Sequence, residues 1–515
     1  MGEHGVVLAV DIGTSATKAV LFDGQGRVLS LARRPYPLLT PHPDWAEQDP
    51  AVVYPAVLEA MREAYAARPA SCSVDAVAFS AQWYSTMAVA ADDRALSPYL
   101  TWSDRRSAAI ADSLRRSERG RRIYQATGCP LDAIYPLSKI IWLRQAALPS
   151  TPVRFVSIKE YVFRRLFGEY VVDWSMASST GLFDICRRNW SPEALDAAGI
   201  DRSFLSAPVS PYQTFTRWAP DARAHTGLPQ GIPCVIGAGD GVLSSVGVGA
   251  VGRGIAAVNV GTSAACRYLI STPTIDPKER LWTYALDECW WVIGGIVSSG
   301  GIVYDWFVRQ CAGRDPAGDP PGPELHAALN DLAAQVPPGS EGLIFLPYLS
   351  GEQCPVWDPE TTGGFFGLTL RHGRGHLARA VYEGIALSLA RVAQTLADAV
   401  EPIEEVRVTG GLSGSSTWLQ IAADMWGTRI LVPESPEGSS LGAAVLAWVA
   451  LGMAPDLDVA RALVRPTRVV EPDETRHELY HDFISRATRL LAATKSVLGQ
   501  ETLGAVEPTQ LGPRT

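Results

Sequence analysis

The chain has 515 residues, of which 47% are hydrophobic and 19% are charged, a composition that can build several cores and that excludes wholesale disorder. Lys and Arg number 45 against 54 Asp and Glu, and the net charge of −9 excludes the basic footprint of a protein that binds nucleic acid or an anionic membrane. At roughly 150 residues per domain, the length predicts two to four domains.

The first part of the chain alternates short apolar runs with a helical pattern. VVLAVDIG (6–13) predicts a buried strand, and the apolar stretches on either side of DGQGR (23–27) predict a hairpin after it. Helical spacing follows over 50–68, and a second buried strand is predicted over 74–80. This order is typical of an α/β domain.

The later part of the chain continues the alternation of strands and helices. Strands are predicted over 342–349, 406–411 and 429–434. Helices are predicted over 376–400, 416–426, 439–451 and 473–498. We expect the last residues, 499–515, to form a flexible tail.

The two parts share a short repeat. Placed over each other, VDIGTSATKAVLF (10–22) and VNVGTSAACRYLI (258–270) agree at six of 13 positions. Their offset of 248 residues is near half the chain, and glycines cluster just before the second copy. We therefore predict two related domains, 1–248 and 249–498.

The cysteines and the N-terminus do not have the pattern expected of a secreted protein. The eight cysteines are dispersed and contain no C-x-x-C pair, so we expect neither a zinc ribbon nor a redox dithiol. MGEHGVVLAVDIG lacks the features of a signal peptide, and no run approaches the ~20 apolar residues of a membrane span. The expected location is cytoplasmic.

Two common nucleotide motifs are excluded. A G-x-G-x-x-G is present at Gly247, Gly249 and Gly252, but it precedes a predicted strand instead of joining a strand to a helix. No Gly-Lys dipeptide occurs, so the sequence has no P-loop.

Glycine-rich turns follow three predicted strands instead, at DIGTSAT (11–17), VGTSA (260–264) and TGGLSGSS (409–416). Glycine lets the main chain approach a ligand closely, so the N–H groups and hydroxyls of such turns can bind phosphate oxygens. An ordinary hairpin is an equal explanation for any one turn, but two of the three belong to the repeat.

Two carboxylates follow predicted strands. Asp11 ends the first strand and offers a hard-oxygen anchor for Mg²⁺, with a simple turn cap as the alternative, whereas its repeat counterpart Asn259 is neutral. Asp240 lies between two glycines in CVIGAGDG (234–241), which leave the carboxylate uncovered. This setting favours a base that accepts the proton of an attacking hydroxyl during phosphoryl transfer, with a simple turn cap as the alternative.

Seven segments, in order along nearly the whole chain, resemble the FGGY carbohydrate kinases. They are VDIGTSATKAVLFD (10–23), TWSDRRS (101–107), IGAGDG (236–241), NVGTSA (259–264), GGIVYDWF (300–307), PYLSGEQCPVWD (347–358) and TGGLSGSSTWLQIAADMWG (409–427). The resemblance implies an α/β protein of two ribonuclease H-like domains, as in actin, hexokinase and Hsp70 chaperones. ATP and sugar would bind in the central cleft between them.

The resemblance also implies roles for individual residues. Asp11 would hold Mg²⁺, and Asp240 would be the catalytic base and touch the sugar. The implied nucleotide-binding residues are Gly13, Thr14, Ser15, Gly261, Thr262, Gly301, Gly410, Gly411 and Ser415. The implied sugar contacts besides Asp240 are Gln82, Trp83 and Trp102. For each glycine, tight packing remains the alternative.

Some positions bear on the identity of the sugar. Relatives often have Met-His or Arg-Glu in place of Trp83-Tyr84, and Gln353 stands where their G-E-R-x-P segment has arginine. The segments 135–143 and 157–185 look most like gluconokinases. A gluconate carboxylate would need a cation, and the candidates, each of which could equally form a structural salt bridge, are Lys139, Lys159 and Arg105.

The sequence thus predicts ATP- and Mg²⁺-dependent phosphorylation of a terminal hydroxyl on a small sugar or sugar acid, with D-gluconate to 6-phospho-D-gluconate as the leading reaction. A xylulokinase, or a kinase for another pentulose or a polyol, is the alternative. Two other classes stay open, an actin-like ATPase switch without a sugar substrate and a degenerate kinase that acts as a regulator. By analogy with relatives, a homodimer is expected.

Overall fold

The computed structural model describes residues 4–148, 154–311 and 322–498. The predicted flexible tail, 499–515, lies outside these ranges.

The first half of the chain consists of short strands and helices, and most of its helices begin at a proline or after a capping side chain, or end at a glycine. Its strands are β1 (His4–Ile12), β2 (Ala16–Gly24), β3 (Val28–Pro35), β4 (Glu47–Gln48), β5 (Ala76–Ala81), β6 (Met87–Val89), β7 (Tyr99–Leu100), β8 (Arg154–Val156), β9 (Val171–Asp173), β10 (Phe183–Asp184), β11 (Asn189–Trp190), β12 (Ala207–Val209), β13 (Thr214–Phe215) and β14 (Cys234–Gly239). Its helices are α1 (Pro50–Ala66), α2 (Ala108–Arg115), α3 (Glu118–Thr127), α4 (Pro136–Trp142), α5 (Ile158–Phe167), α6 (Trp174–Ser178), α7 (Pro192–Ala198), α8 (Pro220–Thr226) and α9 (Asp240–Gly247).

The second half has fewer and longer elements. Its strands are β15 (Ile255–Val260), β16 (Ala264–Ile270), β17 (Trp282–Ala285), β18 (Trp291–Val297), β19 (Ile344–Leu346), β20 (Gly364–Phe366), β21 (Glu405–Gly410), β22 (Arg429–Pro433) and β23 (Pro466–Val470). Its helices are α10 (Gly301–Cys311), α11 (Pro323–Ala334), α12 (Arg374–Ala399), α13 (Ser416–Trp426), α14 (Gly438–Ala450), α15 (Val459–Leu463) and α16 (Glu474–Leu498).

Two large sheets share one topology. The first has the order β13-β14-β5-β1-β2-β3 and the second β17-β18-β16-β15-β21-β22-β23. In each, the strand that opens the repeat pairs antiparallel with the next strand and parallel with a later one: β1 with β2 and β5, β15 with β16 and β21. The repeated GTS segments are therefore equivalent hairpin turns, and the prediction of two related α/β units is confirmed.

Most of the elements predicted from periodicity are present. The helices predicted over 376–400, 416–426, 439–451 and 473–498 correspond to α12, α13, α14 and α16, with their ends within two residues. The strand predicted over 342–349 is shorter, because Pro347 follows the end of β19 and a proline has no N–H for a strand ladder.

The first sheet is covered on both faces. Helix α1 packs against β1, β2 and β3, while α14 packs against β1, β5 and β14. This explains why the run Val7–Val10 is fully buried instead of alternating between buried and exposed positions. Helix α14 comes from the second half of the chain, so the two halves are joined by more than their connecting segment.

Close helix packing forms this junction. Helices α9 and α14 approach so closely that a Cβ on Gly442 would lie 2.0 Å from the carbonyl oxygen of Leu243. A Cβ on Gly247 would lie 1.8 Å from the carbonyl oxygen of Gly438. Only glycine permits this contact. Gly247, the first glycine of the excluded dinucleotide motif, thus serves helix packing.

Within the described ranges, none of the helices combines the length and the apolar character needed to cross a bilayer. All eight cysteines are free thiols, and four of them are buried.

Candidate active site

The carboxyl ends of three parallel strands meet at one edge of the first sheet. The register places Ile12 of β1 beside Ala81 of β5, and Ala81 beside Gly239 of β14. The residues that follow these strand ends therefore become neighbours, as at ligand sites in other open α/β sheets. They include the first glycine-rich turn, the Gln82-Trp83 pair and Asp240.

Asp240 is the first residue of α9, at the positive end of a helix. Burial raises the pKa of its carboxyl to about 7, and the charge of Asp11 contributes to the rise. The charge of Arg267 and the backbone amides of Gly241 and Trp83 act in the opposite direction. A carboxylate that titrates near neutral pH is well suited to accept a proton.

Trp83 fills the space left by the glycines on either side of Asp240. A Cβ on Gly239 would lie 1.7 Å from the indole Nε1, and one on Gly241 would lie 2.2 Å from Cζ3. The indole is 3% exposed, and its Nε1 donates to Ser175 Oγ at 3.2 Å. These glycines thus make room for an aromatic wall beside Asp240. From the sequence alone, we expected them only to leave the carboxylate uncovered.

A chain of hydrogen bonds ties the first glycine-rich turn to β5. Trp102 Nε1 donates to Thr14 Oγ1 at 3.0 Å, and Thr14 Oγ1 donates to Gln82 Oε1 at 3.1 Å. The Gln82 amide in turn donates to Gln48 Oε1 at 3.1 Å and to the Gly13 carbonyl at 3.3 Å. Gln82 is 2% exposed, and both ends of its amide have partners within the protein. Its observed contacts therefore hold the turn.

Asp11 lies near the end of β1, where Ser80 Oγ donates to its Oδ1 at 2.7 Å. Burial raises the pKa of this carboxyl, and the Ser80 hydrogen bond and the Lys18 charge oppose the rise. Lys18 itself forms an ion pair with Glu437 at 2.8 Å, which joins β2 to the residue before α14.

The groups around Asp11 suit Mg²⁺ better than a metal ion that is bound entirely by protein side chains. No group of three or more His, Cys, Asp or Glu side chains in the described ranges is arranged to hold a metal. A cation at Asp11 would thus take its other ligands from water and from phosphate, which is how Mg²⁺ is usually bound. Two nearby carboxylates, Asp11 and Asp240, also give this edge the negative charge that attracts a cation.

The other two glycine-rich turns meet at the equivalent edge of the second sheet. Val260 of β15 lies opposite Gly410 of β21, which places VGTSA next to TGGLSGSS. Gly410 has a φ of +93°, and a Cβ there would lie 2.3 Å from the Val260 carbonyl oxygen, so only glycine fits. Gly411 is exposed and faces open space.

The start of α10 is attached to the first of these turns, VGTSA. Gly301 N–H donates to the Gly261 carbonyl at 2.7 Å, and Ile302 N–H donates to the Thr262 carbonyl at 3.1 Å. Gly261, Thr262 and Gly301, all predicted from sequence to bind nucleotide, are therefore in direct contact.

Ser15 and Ser415 differ in their surroundings. Ser15 is exposed in the first turn. Ser415 is buried, caps α13 by accepting from Trp418 N–H at 3.0 Å, and donates to Asn330 Oδ1 at 2.6 Å. Its hydroxyl is occupied by these two contacts.

A cavity of about 380 Å³ opens between the two halves of the chain. The first half contributes Trp102, Arg105 and Asp132, and the second contributes Thr262, Ser263 and Gln353. A predicted sugar contact, Trp102, and a predicted phosphate contact, Thr262, thus line one space. Gln353, the departure from the family pattern, lies on its wall.

The cations considered for a carboxylate have structural partners. Lys139 is buried, and its Nζ donates to the carbonyls of Tyr84, Thr101 and Ile134 at 2.6–2.9 Å. Three carbonyls match the three N–H groups of an ammonium. Lys139 therefore ties together three loops of the first half.

Lys159 and Arg105 are also paired. Lys159 lies 2.7 Å from Asp173 and donates to the carbonyl of Ala238 at 3.2 Å, which braces the end of β14. Its neighbour Glu160 completes a capping box at the start of α5. Arg105 is partly exposed at the cavity and lies 3.3 Å from Asp132.

Arg267 is a site residue that the sequence reading missed. It lies on β16, where its charge acts on Asp240, and its Cζ is 6.0 Å from the centre of the Trp83 ring. A signal was available, because Arg267 stands opposite Ala19 when the repeat is aligned and is the one charged residue of an apolar strand, AACRYLI.

The chain matches two family models that together cover most of its length. The N-terminal domain of the FGGY family of carbohydrate kinases matches residues 6–247, and the C-terminal domain of that family matches residues 256–451. These matches define a carbohydrate kinase that uses ATP. The chain belongs to the FGGY family.

Two of the similar proteins are named for gluconate and one for xylulose. A gluconokinase of Bacillus subtilis (strain 168) is 37% identical over 478 residues, which are 92% of this chain and 93% of that protein. A gluconate kinase from Lactobacillus acidophilus has a TM-score of 0.90 at 30% identity, over 96% of this chain and 99% of its own. A xylulose kinase from the same organism gives the same TM-score, identity and coverage. The shared fold therefore does not separate these two substrates.

Proposed function

We propose that the protein transfers the γ-phosphoryl group of ATP to the terminal hydroxyl of D-gluconate, giving 6-phospho-D-gluconate. The likeness to the Bacillus subtilis gluconokinase over 92% of the chain supports this substrate. The observation that carries the chemistry is Asp240, a carboxyl with a pKa raised to about 7 at the sheet edge that also bears the first glycine-rich turn. A xylulose kinase is the second candidate, favoured by the equal structural likeness.

Asp240 acts as the general base in this proposal. Its carboxylate accepts the proton of the terminal hydroxyl while the hydroxyl oxygen attacks the γ-phosphorus, and the bond from that phosphorus to the ADP oxygen breaks. The amides of Gly241 and Trp83 and the tight indole wall fix the position of the carboxylate. Fixed geometry of this kind lowers the entropic part of the barrier.

Backbone turns hold the nucleotide. Gly13, Thr14 and Ser15 would lie along the phosphates from one side, and Gly261, Thr262 and Gly301 from the other. Gly410 and Gly411 would border the adenosine pocket. Ser415 would support that border through its cap on α13 instead of by direct contact, because its hydroxyl is already bonded.

Asp11 is the residue that would hold Mg²⁺. The ion would offset the negative charge of the phosphates and of the two carboxylates at this edge. Its neutral counterpart in the second sheet, Asn259, donates to Thr409 Oγ1 at 3.0 Å and has no such charge. We accordingly assign the metal and sugar to the domain 1–248 and the nucleotide mainly to the domain 249–498.

Trp102 is the sugar contact with the strongest support, because it lines the cavity between the halves and is fixed by Thr14. Trp83 would contribute the wall beside the reacting hydroxyl. Gln82 would act through the Thr14 turn, since both N–H groups of its amide are donated within the protein and its oxygen already accepts from Thr14.

A substrate panel tests the proposal. The purified protein would be given MgATP with D-gluconate, D-xylulose, glycerol or D-glucitol, and ADP formation would be followed together with the mass of the product. We expect the highest kcat/KM for gluconate and a product heavier by one phosphoryl group. Turnover of xylulose with no response to gluconate would favour the second candidate. ATP turnover that ignores every sugar would indicate an ATPase switch.

A further inference from the structure

Arg267 lies on the face of the second sheet that meets the first half of the chain. It is opposite Gly294 on β18, and Gly294 is opposite Trp282 on β17, so Arg267 and Trp282 share a face. The ring of Trp282 lies 5.7 Å from that of Trp83, in an edge contact. Arg267 is therefore directed toward the wall beside Asp240.

The guanidinium of Arg267 is incompletely satisfied. Its Nε is buried, and no described residue accepts a hydrogen bond from it. A buried donor without an acceptor is destabilising, so its retention favours an acceptor supplied by a ligand. Lys139, Lys159 and Arg105, by contrast, each have acceptors within the protein.

Asp240 and Arg267 both lie near the indole of Trp83. The glycines around Asp240 touch the Trp83 ring, and the Arg267 Cζ lies 6.0 Å from its centre. The charge of Arg267 is also felt at Asp240. A ligand that reached both Asp240 and Arg267 would thus have a base at one end and a cation at the other.

We infer that Arg267 binds the carboxylate of an open-chain sugar acid whose far hydroxyl is presented to Asp240. This inference rests on the proposed function and assigns its substrate class. The planar fork of a guanidinium matches a carboxylate in two parallel hydrogen bonds. A neutral ketose or polyol offers Arg267 only hydroxyl acceptors, without the charge and the paired oxygens of a carboxylate, so the site discriminates against such substrates.

Measurements of equilibrium binding distinguish a carboxylate contact at Arg267 from a contact between the halves and from an effect on Asp240 alone. Titration calorimetry would measure the Kd of D-gluconate and of ATP for the wild type and for Arg267→Met, Arg267→Lys and Arg105→Met. Arg121→Met, a change at an exposed position on α3, is the matched control. We expect Arg267→Met to weaken gluconate about 100-fold, the scale of a charged hydrogen-bonded pair, with the Kd of ATP unchanged. The Kd of gluconate for Arg267→Lys should lie between those for the wild type and for Arg267→Met.

Several results would overturn the inference. An unchanged Kd of gluconate in Arg267→Met would do so, as would a loss confined to Arg105→Met, which would assign the carboxylate to Arg105. A joint loss of ATP and gluconate binding in both Arg267 variants would assign Arg267 to the contact between the halves. An unchanged Kd with a shifted acid limb of kcat/KM would make Arg267 a residue that only tunes Asp240.

The proposed function fails in a different way. If the wild type phosphorylates xylulose and neither binds nor phosphorylates gluconate, the substrate is wrong. If gluconate is phosphorylated and Arg267→Met binds it normally, only the role of Arg267 is wrong.

Discussion

Gly239 and Trp83 are in direct contact, since a Cβ at position 239 would lie 1.7 Å from the indole Nε1. The contact is repeated at Gly241, on the other side of Asp240. The glycines of this Gly-Asp-Gly segment and the tryptophan after β5 therefore form one unit. The position of the proposed base depends on all three.

Alanine at position 241 tests this unit. The added methyl would push the indole or the start of α9 aside, and overpacking of this kind costs about 1–3 kcal/mol. We expect a lower melting temperature and a kcat reduced at least about tenfold, because displaced catalytic groups react slowly. Gly373→Ala is the control, since its Cβ would meet nothing within 4 Å. Equal melting temperatures for the two variants would contradict the packing argument.

Asp240→Asn should stabilise the protein while removing its activity. The folded-state pKa of about 7 lies above the ordinary value of 3.8, so the native state holds a proton that the unfolded state has lost. Wild-type stability therefore falls as pH rises between these values. In Mg²⁺-free buffer, the melting temperature of the variant should gain on the wild type from pH 5 to pH 8. A constant difference over that range would refute a raised pKa.

Lys139→Met should destabilise the protein without altering substrate choice. The substitution leaves three carbonyls without their donor, and we expect a loss of about 3–5 kcal/mol in the free energy of unfolding by urea titration. The exposed Lys278→Met provides the comparison. A normal unfolding curve combined with a raised KM for gluconate would instead make Lys139 a substrate ligand.

Asp11→Asn should raise the Mg²⁺ concentration that the enzyme requires. Loss of the carboxylate charge removes the hard-oxygen anchor, so half-maximal activity should need at least about tenfold more Mg²⁺. The Kd of gluconate, measured without nucleotide, should stay the same. Asp23→Asn, near the end of β2, controls for the loss of one negative charge. An unchanged Mg²⁺ requirement would remove Asp11 from the metal site.

Local sequence patterns predicted where several parts of the candidate site lie in the fold. The turns at 11–17, 260–264 and 409–416 follow their strands directly, and a strand ending in glycine fixes where the next residues lie. Asp240 was found in the same way, because its flanking glycines are neighbours in sequence. The repeat then indicated that the two halves share a topology.

Other features depend on contacts that are distant in sequence. The burial of Trp83 results from packing against glycines more than 150 positions away, and the three acceptors of Lys139 come from separate loops. The direction of Arg267 is set by its place in β16 relative to β18 and β17. No pattern local to one segment predicts that α14 covers the first sheet.

The most direct measurement of the central claim is gluconate-dependent ADP formation by the wild type and by Asp240→Asn at saturating MgATP. If Asp240 takes the proton of the attacking hydroxyl, the asparagine variant should lose at least about 10³-fold in kcat while binding gluconate and ATP with nearly normal Kd values. A variant that keeps phosphorylating gluconate at a rate near that of the wild type would show that another group serves as the base.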